Sequence, residues 1–179
     1  PAGFKGFVES DRHVAIEAPH YSRVVKDGDV TWQTLPGFGR TLGGVTVMPV
    51  TAPARPLGAR SSRLGYDVYL YTSGELNVNL DLAPSLDFQS GEGLRLAVSF
   101  DDAPPQTLKL DTWAEANWSK AVSDGVRRLG SKHRIDRARA HTLKIWMITP
   151  GVVLQRIVID AGGVRESYLG PPSSEPPGD

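Results

Sequence analysis

Eight stretches of this chain alternate apolar and polar side chains, and that period of two constrains its fold more than any other feature. In residues 75–82, ELNVNLDL, Leu76, Val78, Leu80 and Leu82 point one way and polar residues point the other. Residues 94–100 repeat the pattern with Leu94, Leu96, Val98 and Phe100. Residues 64–71 repeat it with Leu64, Tyr66, Val68 and Leu70, and residues 141–148 with Leu143, Ile145 and Met147. Further strands are expected at 13–18, 44–50, 106–110 and 153–160. Successive side chains of a strand face opposite ways, so this period marks strands with one buried face. The 19 glycines and 14 prolines, spread along 179 residues, suit short strands and turns better than long helices. The expected fold is therefore all-β: an antiparallel two-sheet sandwich, jelly-roll-like, with one inserted α-helix.

That helix is predicted over residues 112–129. Thr112 and Glu115 have the spacing of a capping box, and Trp118, Val122, Val126 and Leu129 fall on one helical face. Arg127 and Arg128 would lie in the last turn, where the helix dipole favours cations, and Gly130 would end it. On this reading the basic cluster of Arg127, Arg128, Lys132, Arg134, Arg137 and Arg139 is a solvated helix end and the loop after it. Residues 141–163 read as an amphipathic hairpin turning at Thr149-Pro150-Gly151 and closing the sandwich. Residues 1–170 are expected to form one unit. Residues 171–179, PPSSEPPGD, are expected to be a disordered or linker-like tail. The chain begins at Pro1 and is expected to be an excised fragment.

Composition removes several function classes. Lys plus Arg and Asp plus Glu each number 20, so long-range attraction to nucleic acid or an anionic membrane has little to work with. Neither is expected as a partner. The absence of cysteine excludes disulfides and thiolate zinc sites. No apolar run approaches the roughly 18 residues of a membrane span.

Catalytic motifs are equally scarce. His13, His20, His133 and His141 show no metal-ligand spacing, and no serine sits in a G-x-S-x-G elbow. Residues 37–44, GFGRTLGG, superficially resemble a phosphate loop, but they lack the Lys-Ser/Thr ending and run into a strand. They read as a loop needing positive backbone angles. Glu17, Asp67, Glu75, Asp101 and Asp102 offer carboxylate pairs of the kind any sandwich offers.

Aromatic residues carry more information. A sugar ring presents a C–H face that packs on an aromatic face, while its hydroxyls need polar partners. Trp118 falls on the predicted helix stripe, and Trp146 alternates away from Leu143, Ile145 and Met147. Trp32, in a stretch read as loop, and Trp113, at the helix start, are assigned to the core by neither pattern. With Gln33, Arg40 and Asn117 nearby to supply hydrogen bonds, they form the expected carbohydrate-binding set. Arg40 is suited to a uronate carboxylate.

Six blocks in order carry a resemblance: IEAPHYSR (16–23), TWQTLPGFGRTLGGVTVMPVTA (31–52), GEGLRLAVSFDDAPPQ (91–106), WSKAVSDGVRRL (118–129), HTLKIWMITPGVVLQRIVIDAGG (141–163) and SYLGPP (167–172). Over nearly its whole length the chain resembles the C-terminal domain of family 115 glycoside hydrolases, bacterial enzymes that remove glucuronic or methylglucuronic acid from xylan. The resemblance implies a non-catalytic β-sandwich behind a separate catalytic barrel of the same parent chain, in a secreted or periplasmic protein. The chain's opening IEA and closing IVID also resemble the first and last strands of family 6 and family 35 carbohydrate-binding modules. Those modules carry a structural calcium near two positions matched here by Glu17 and Asp160, though Pro19 stands where a second acid is usual. Two functions are then expected to compete. One is a module that binds xylan or glucuronoxylan. The other is a structural or dimerisation domain that packs on the barrel and binds no sugar alone, a reading favoured by outward aliphatics such as Ile148 and Val158.

Overall fold

The computed structural model describes residues 1, 3–40, 42–88, 93–110, 115–165 and 170–174, and at 115–118 the backbone alone. Within them the chain forms β1 (Phe7–Val8), β2 (His13–Glu17), β3 (Arg23–Val25), β4 (Thr31–Pro36), β5 (Gly43–Met48) and β6 (Arg63–Leu70). It continues with β7 (Gly74–Leu82), β8 (Leu94–Phe100), β9 (Gln106–Leu110), α1 (Glu115–Asp124), β10 (Arg127–Ile135), β11 (Arg139–Met147) and β12 (Leu154–Asp160). Two six-stranded sheets face each other. The first runs β1-β6-β11-β8-β9 with β3 also on β6, and the second runs β10-β7-β12-β5-β4 with β2 also on β12. Nearly all the pairings are antiparallel, the short β1–β6 contact being parallel. Between the sheets lies one apolar core, including Leu64, Tyr66, Leu80, Leu82, Leu143, Ile145, Leu154 and Ile157, all fully buried. The Tyr66 hydroxyl donates to the Ala18 carbonyl at 2.8 Å, so this large buried ring leaves no orphan donor.

All eight expected strands form, and the architecture is the expected β-sandwich. Four local expectations are corrected. Residues 141–163 are not a hairpin, because β11 belongs to the first sheet and β12 to the second. The linker between them is pinned to both sheets: the Thr149 amide donates to the Arg95 carbonyl and the Ala83 amide to the Val153 carbonyl. The alternation was right; the partners were wrong.

The helix is shorter than expected. It ends at Asp124, where Gly125 takes φ +65° and the Val126 amide donates to the Ala121 carbonyl. Ala121 and Val126 are buried while Val122 is exposed, so the predicted stripe had the wrong phase there. Residues 112–114 and the Trp118 side chain lie outside the description. Beyond the helix, Arg127–Ile135 is a strand paired along its length with β7. It hides its strand character because Arg128, Lys132 and Arg134 occupy its outward positions. The basic cluster lies on β10, on the turn after it and at the first residue of β11, not at a helix end.

The outer face of the first sheet is covered by the loop of residues 51–62. Leu57 packs on Ala97, Trp146 and Ile148, and the Arg55 amide donates to the Ile148 carbonyl. The Trp146 indole donates to Ser99 Oγ at 2.8 Å and lies under the Arg63 guanidinium, 4.5 Å from the ring centre. Ile148 and Val158, expected to face outward, are both buried within the chain itself.

Candidate functional site

Trp32 lies on β4 rather than in a loop. It stands opposite Val47 of β5 and packs on Val30, Val47, Ala52 and Met147, with its ring nitrogen buried. Val30 and Trp32 alone do not make a visible alternation, so pairing with β5, not the local sequence, fixes this strand. Gln33, the next residue, is exposed on the opposite face, so the two cannot serve one ligand. Trp113 lies outside the described residues. Asn117 is placed in the first turn of α1, its side chain outside the description.

Exposed aromatics do occur, on the loops joining the strands. Phe38, between Gly37 and Gly39 at φ +66° and +87°, is 41 % exposed at the tip of the β4–β5 loop. Phe88, on the β7–β8 loop, is 55 % exposed. A Cβ on Gly44 would stand 3.3 Å from the Phe38 ring, and one on Gly151 would stand 3.0 Å from the Phe88 ring. Glycine at these two places lets the rings lie close over the backbone. Leu42 and Leu86, on the same two loops, are exposed as well.

Two residues beyond Phe38, Arg40 enters a cleft of about 510 Å³ between its own loop, α1 and the start of β10. The cleft is held together by Gln155, a buried residue at a shift of register in β12. Its Oε1 accepts from the Arg40 amide at 3.0 Å, and its Nε2 donates to the Gly125 carbonyl at 3.2 Å. Arg40, Lys120, Arg127 and Arg128 bring four positive charges to the lining. Lys120 pairs with Asp124 at 2.9 Å and Arg128 with Asp81 at 3.0 Å. The Asp124 carboxyl is held below its ordinary value, first by the Lys120 hydrogen bond and then by the charges of Lys120, Arg40 and Arg128. One terminal nitrogen of Arg127 is buried without a hydrogen-bond partner among the described residues. The cleft is thus an anion-favouring concavity in a chain of zero formal charge.

Glu17 and Asp160 do not meet. On the β2–β12 ladder Glu17 stands opposite Arg156 and Asp160 opposite His13, four residues further along, or roughly 13 Å. Glu17 lies 3.7 Å from Arg156, with both residues buried, and Asp160 Oδ1 accepts the amides of Gly162, Gly163 and Val164. Calcium needs its oxygens around one ion within about 2.6 Å. This pair does not fit that requirement, and among the described residues no three acids or histidines converge on a metal position.

The domain is an antiparallel sandwich that exposes aromatic residues on two of its loops. Residues 6–173 match the family described as the glycosyl hydrolase family 115 C-terminal domain, and the chain belongs to that family. No curated protein matches the sequence. Among solved structures the chain is similar to a family 115 4-O-methyl-alpha-glucuronidase with specificity for decorated arabinogalactans. The TM-score is 0.61 at 16 % identity, over 81 % of this chain and 17 % of that one. It therefore spans about a sixth of that protein's length. The C-terminal family 6 carbohydrate-binding module of a laminarinase from Zobellia galactanivorans shares the fold at TM-score 0.53 and 15 % identity, over 83 % of this chain and 98 % of that one. A family 35 module from Paenibacillus barcinonensis does so at TM-score 0.52 and 15 % identity, over 83 % and 99 %. A family 115 C-terminal domain with this fold is an accessory domain and not a catalytic one.

The loop phenylalanines, Lys120 and Arg127 were missed in the sequence. A lone aromatic flanked by two glycines, as in Gly37-Phe38-Gly39, was the available signal.

Proposed function

We propose that this domain binds an acid-decorated plant polysaccharide, glucuronoxylan or a related chain, for the catalytic barrel of a family 115 glycoside hydrolase. The observation that carries this reading is one loop presenting Phe38 to solvent and Arg40 to a basic cleft. A polymer backbone can lie across Phe38 and Phe88 by its C–H faces, while a uronate side group reaches Arg40 and Arg127 by charge-assisted hydrogen bonds. Family membership and a fold shared with carbohydrate-binding modules support a carbohydrate-binding role. The glucuronidase activity named for the similar family 115 protein supports the uronate. Such a polymer cannot cross a membrane intact, which implies a secreted or periplasmic parent.

Affinity electrophoresis of the isolated chain in gels of glucuronoxylan and of unsubstituted xylan tests this. Retention should be stronger in glucuronoxylan. Arg40→Ala should weaken it about tenfold, as loss of a charge-assisted bond worth 1.5 kcal/mol or more would. Phe38→Ala should weaken it in both gels with little change in melting temperature. Unchanged retention in both variants would place binding elsewhere.

Exposed Leu42, Leu86 and Val122 favour a second reading, in which this surface packs on the barrel or on a partner subunit. It predicts that the isolated chain is retained in neither gel.

A further inference from the structure

The opposite end of β10 carries a second hollow. After Ile135 the chain turns through Asp136, Arg137 and Ala138 into β11, and this turn faces the one that follows β8. Together they enclose about 460 Å³ over a floor of Phe100 and Ile135. Phe100 is buried there with the rings of His133 and His141 packed edge-on, at centroid distances of 5.3 and 6.4 Å.

The floor is tied to both turns through Asp101 and His141. Asp101 holds φ +46°, a conformation few side chains adopt, and its Oδ1 accepts the Thr142 amide at 2.8 Å. Its Oδ2 lies 2.7 Å from His141 Nδ1, and His141 Nε2 lies 2.9 Å from the Arg137 carbonyl. One buried imidazole therefore ties the β8 turn to the backbone of Arg137.

The cations on this frame keep most of their charge available. Arg134 is 3.9 Å from Asp136 in a pair open to water on both sides, and Arg139 is 3.6 Å from Asp101 with its own side chain well exposed. Exposed pairs this long are worth little. The Arg137 guanidinium makes no ion pair among the described residues and lines the hollow. Three guanidinium forks thus stand around a cavity of ligand size, with the Asp136 carboxylate beside them to accept hydroxyls.

We propose that this hollow is a second carbohydrate site, taking a uronic acid residue with its carboxylate on Arg137 and Arg139 and a ring hydroxyl on Asp136. The inference shares its ligand class with the function proposed above and rests on that reading for the polymer, but on none of its residues. From Arg127 to Arg134 the strand advances seven residues, about 23 Å, so the two sites are separate. One decorated chain that engaged both would be held more tightly than either site alone holds it, because the second contact becomes intramolecular.

Titration of the full 179-residue chain, followed by backbone amide NMR, tests the proposal with three probes: sodium glucuronate, glucose and inorganic phosphate. Glucuronate should shift the amides of residues 134–142 saturably, and glucose should not. Phosphate should bind at least tenfold more weakly, because it has no ring to carry a hydroxyl to Asp136 while its charge rests on Arg137 and Arg139. Arg137→Gln should abolish these shifts while leaving residues 37–42 responsive and the melting temperature unchanged. Response at 37–42 without 134–142 would overturn this site and leave the first standing. Response at 134–142 alone would support it and sink the first. Equal affinity for phosphate would reduce the hollow to a general anion patch and overturn the proposal.

Discussion

The two clefts at the ends of β10 are built from opposite materials. At the Arg127 end, a glycine-bearing loop and the residue that follows a ten-residue helix are bridged by one buried side chain, Gln155. At the Arg134 end, the walls grow directly out of β8, β10 and β11, and the floor is the core residue Phe100. The first arrangement lets the cleft change without touching the core. The second makes the cleft and the core one object.

Four measurements would break or sharpen this contrast. The largest effect is expected from Phe100→Ala, which should cost about 3–4 kcal/mol because it removes a buried ring from under two histidines. A loss under about 1 kcal/mol in denaturant unfolding would mean that the second hollow is not part of the core. Gln155→Leu should cost less, roughly 1–2 kcal/mol, by leaving the Arg40 amide and the Gly125 carbonyl without their partner. Its signature is local: amide exchange should quicken in residues 37–42 and 120–126 and stay unchanged in residues 134–142.

Acid should act mainly at the Arg134 end, in two windows. Burial holds His133 below its ordinary value of 6.5, so the folded state resists a proton that the unfolded state accepts. Stability is then full above that value and declines as pH falls below it. Asp101 is partly buried, which raises its pKa, but the Thr142 amide, His141 and Arg139 outweigh burial and hold it below 3.8. Its contribution is present above 3.8 and is lost as pH falls further. Thermal melts from pH 7 to 3 should show both declines, and His133→Phe should remove the upper one alone. The smallest effect is expected from Lys120→Ala: its pair with Asp124 is exposed, so melting should not move measurably. Affinity for glucuronate at the Arg127 end should still fall.

The strand pattern was legible wherever apolar residues alternate, as in β6, β7, β8 and β11. It failed at β10, where inward Ser131 and His133 are polar and outward Arg128 and Lys132 are long and charged. It failed again at the C-terminal end, because alternation shows that residues 141–148 and 153–160 are strands but not which sheet each joins. The expected site fared unevenly for related reasons. Arg40 does line a cleft, since a cation after a glycine turn has few other places to go. Trp32 reads as a platform in the sequence because β4 is short in apolar residues, and its pairing with Val47 is what turns the ring inward. Phe38 and Phe88 look like ordinary core phenylalanines until the loops that carry them are placed.

Among the described residues strand β2 has a strand neighbour on only one side within its sheet, β12. On its open side the Ala15 amide donates to Ser174 Oγ at 3.1 Å, and the Ser174 amide donates back to the Ala15 carbonyl at 2.7 Å. The stretch expected to be a linker-like tail thus begins by lying along this rim, and the Arg156 guanidinium grips the Pro171 carbonyl beside it. An unpaired strand rim is a template on which another chain can add itself, the first step toward fibres. Ser174 takes the two backbone groups at the middle of that template. Residues 171–174 thus cover part of that rim, and trimming the chain back to residue 170 should uncover it, with self-association of the shortened chain on a sizing column as the expected result.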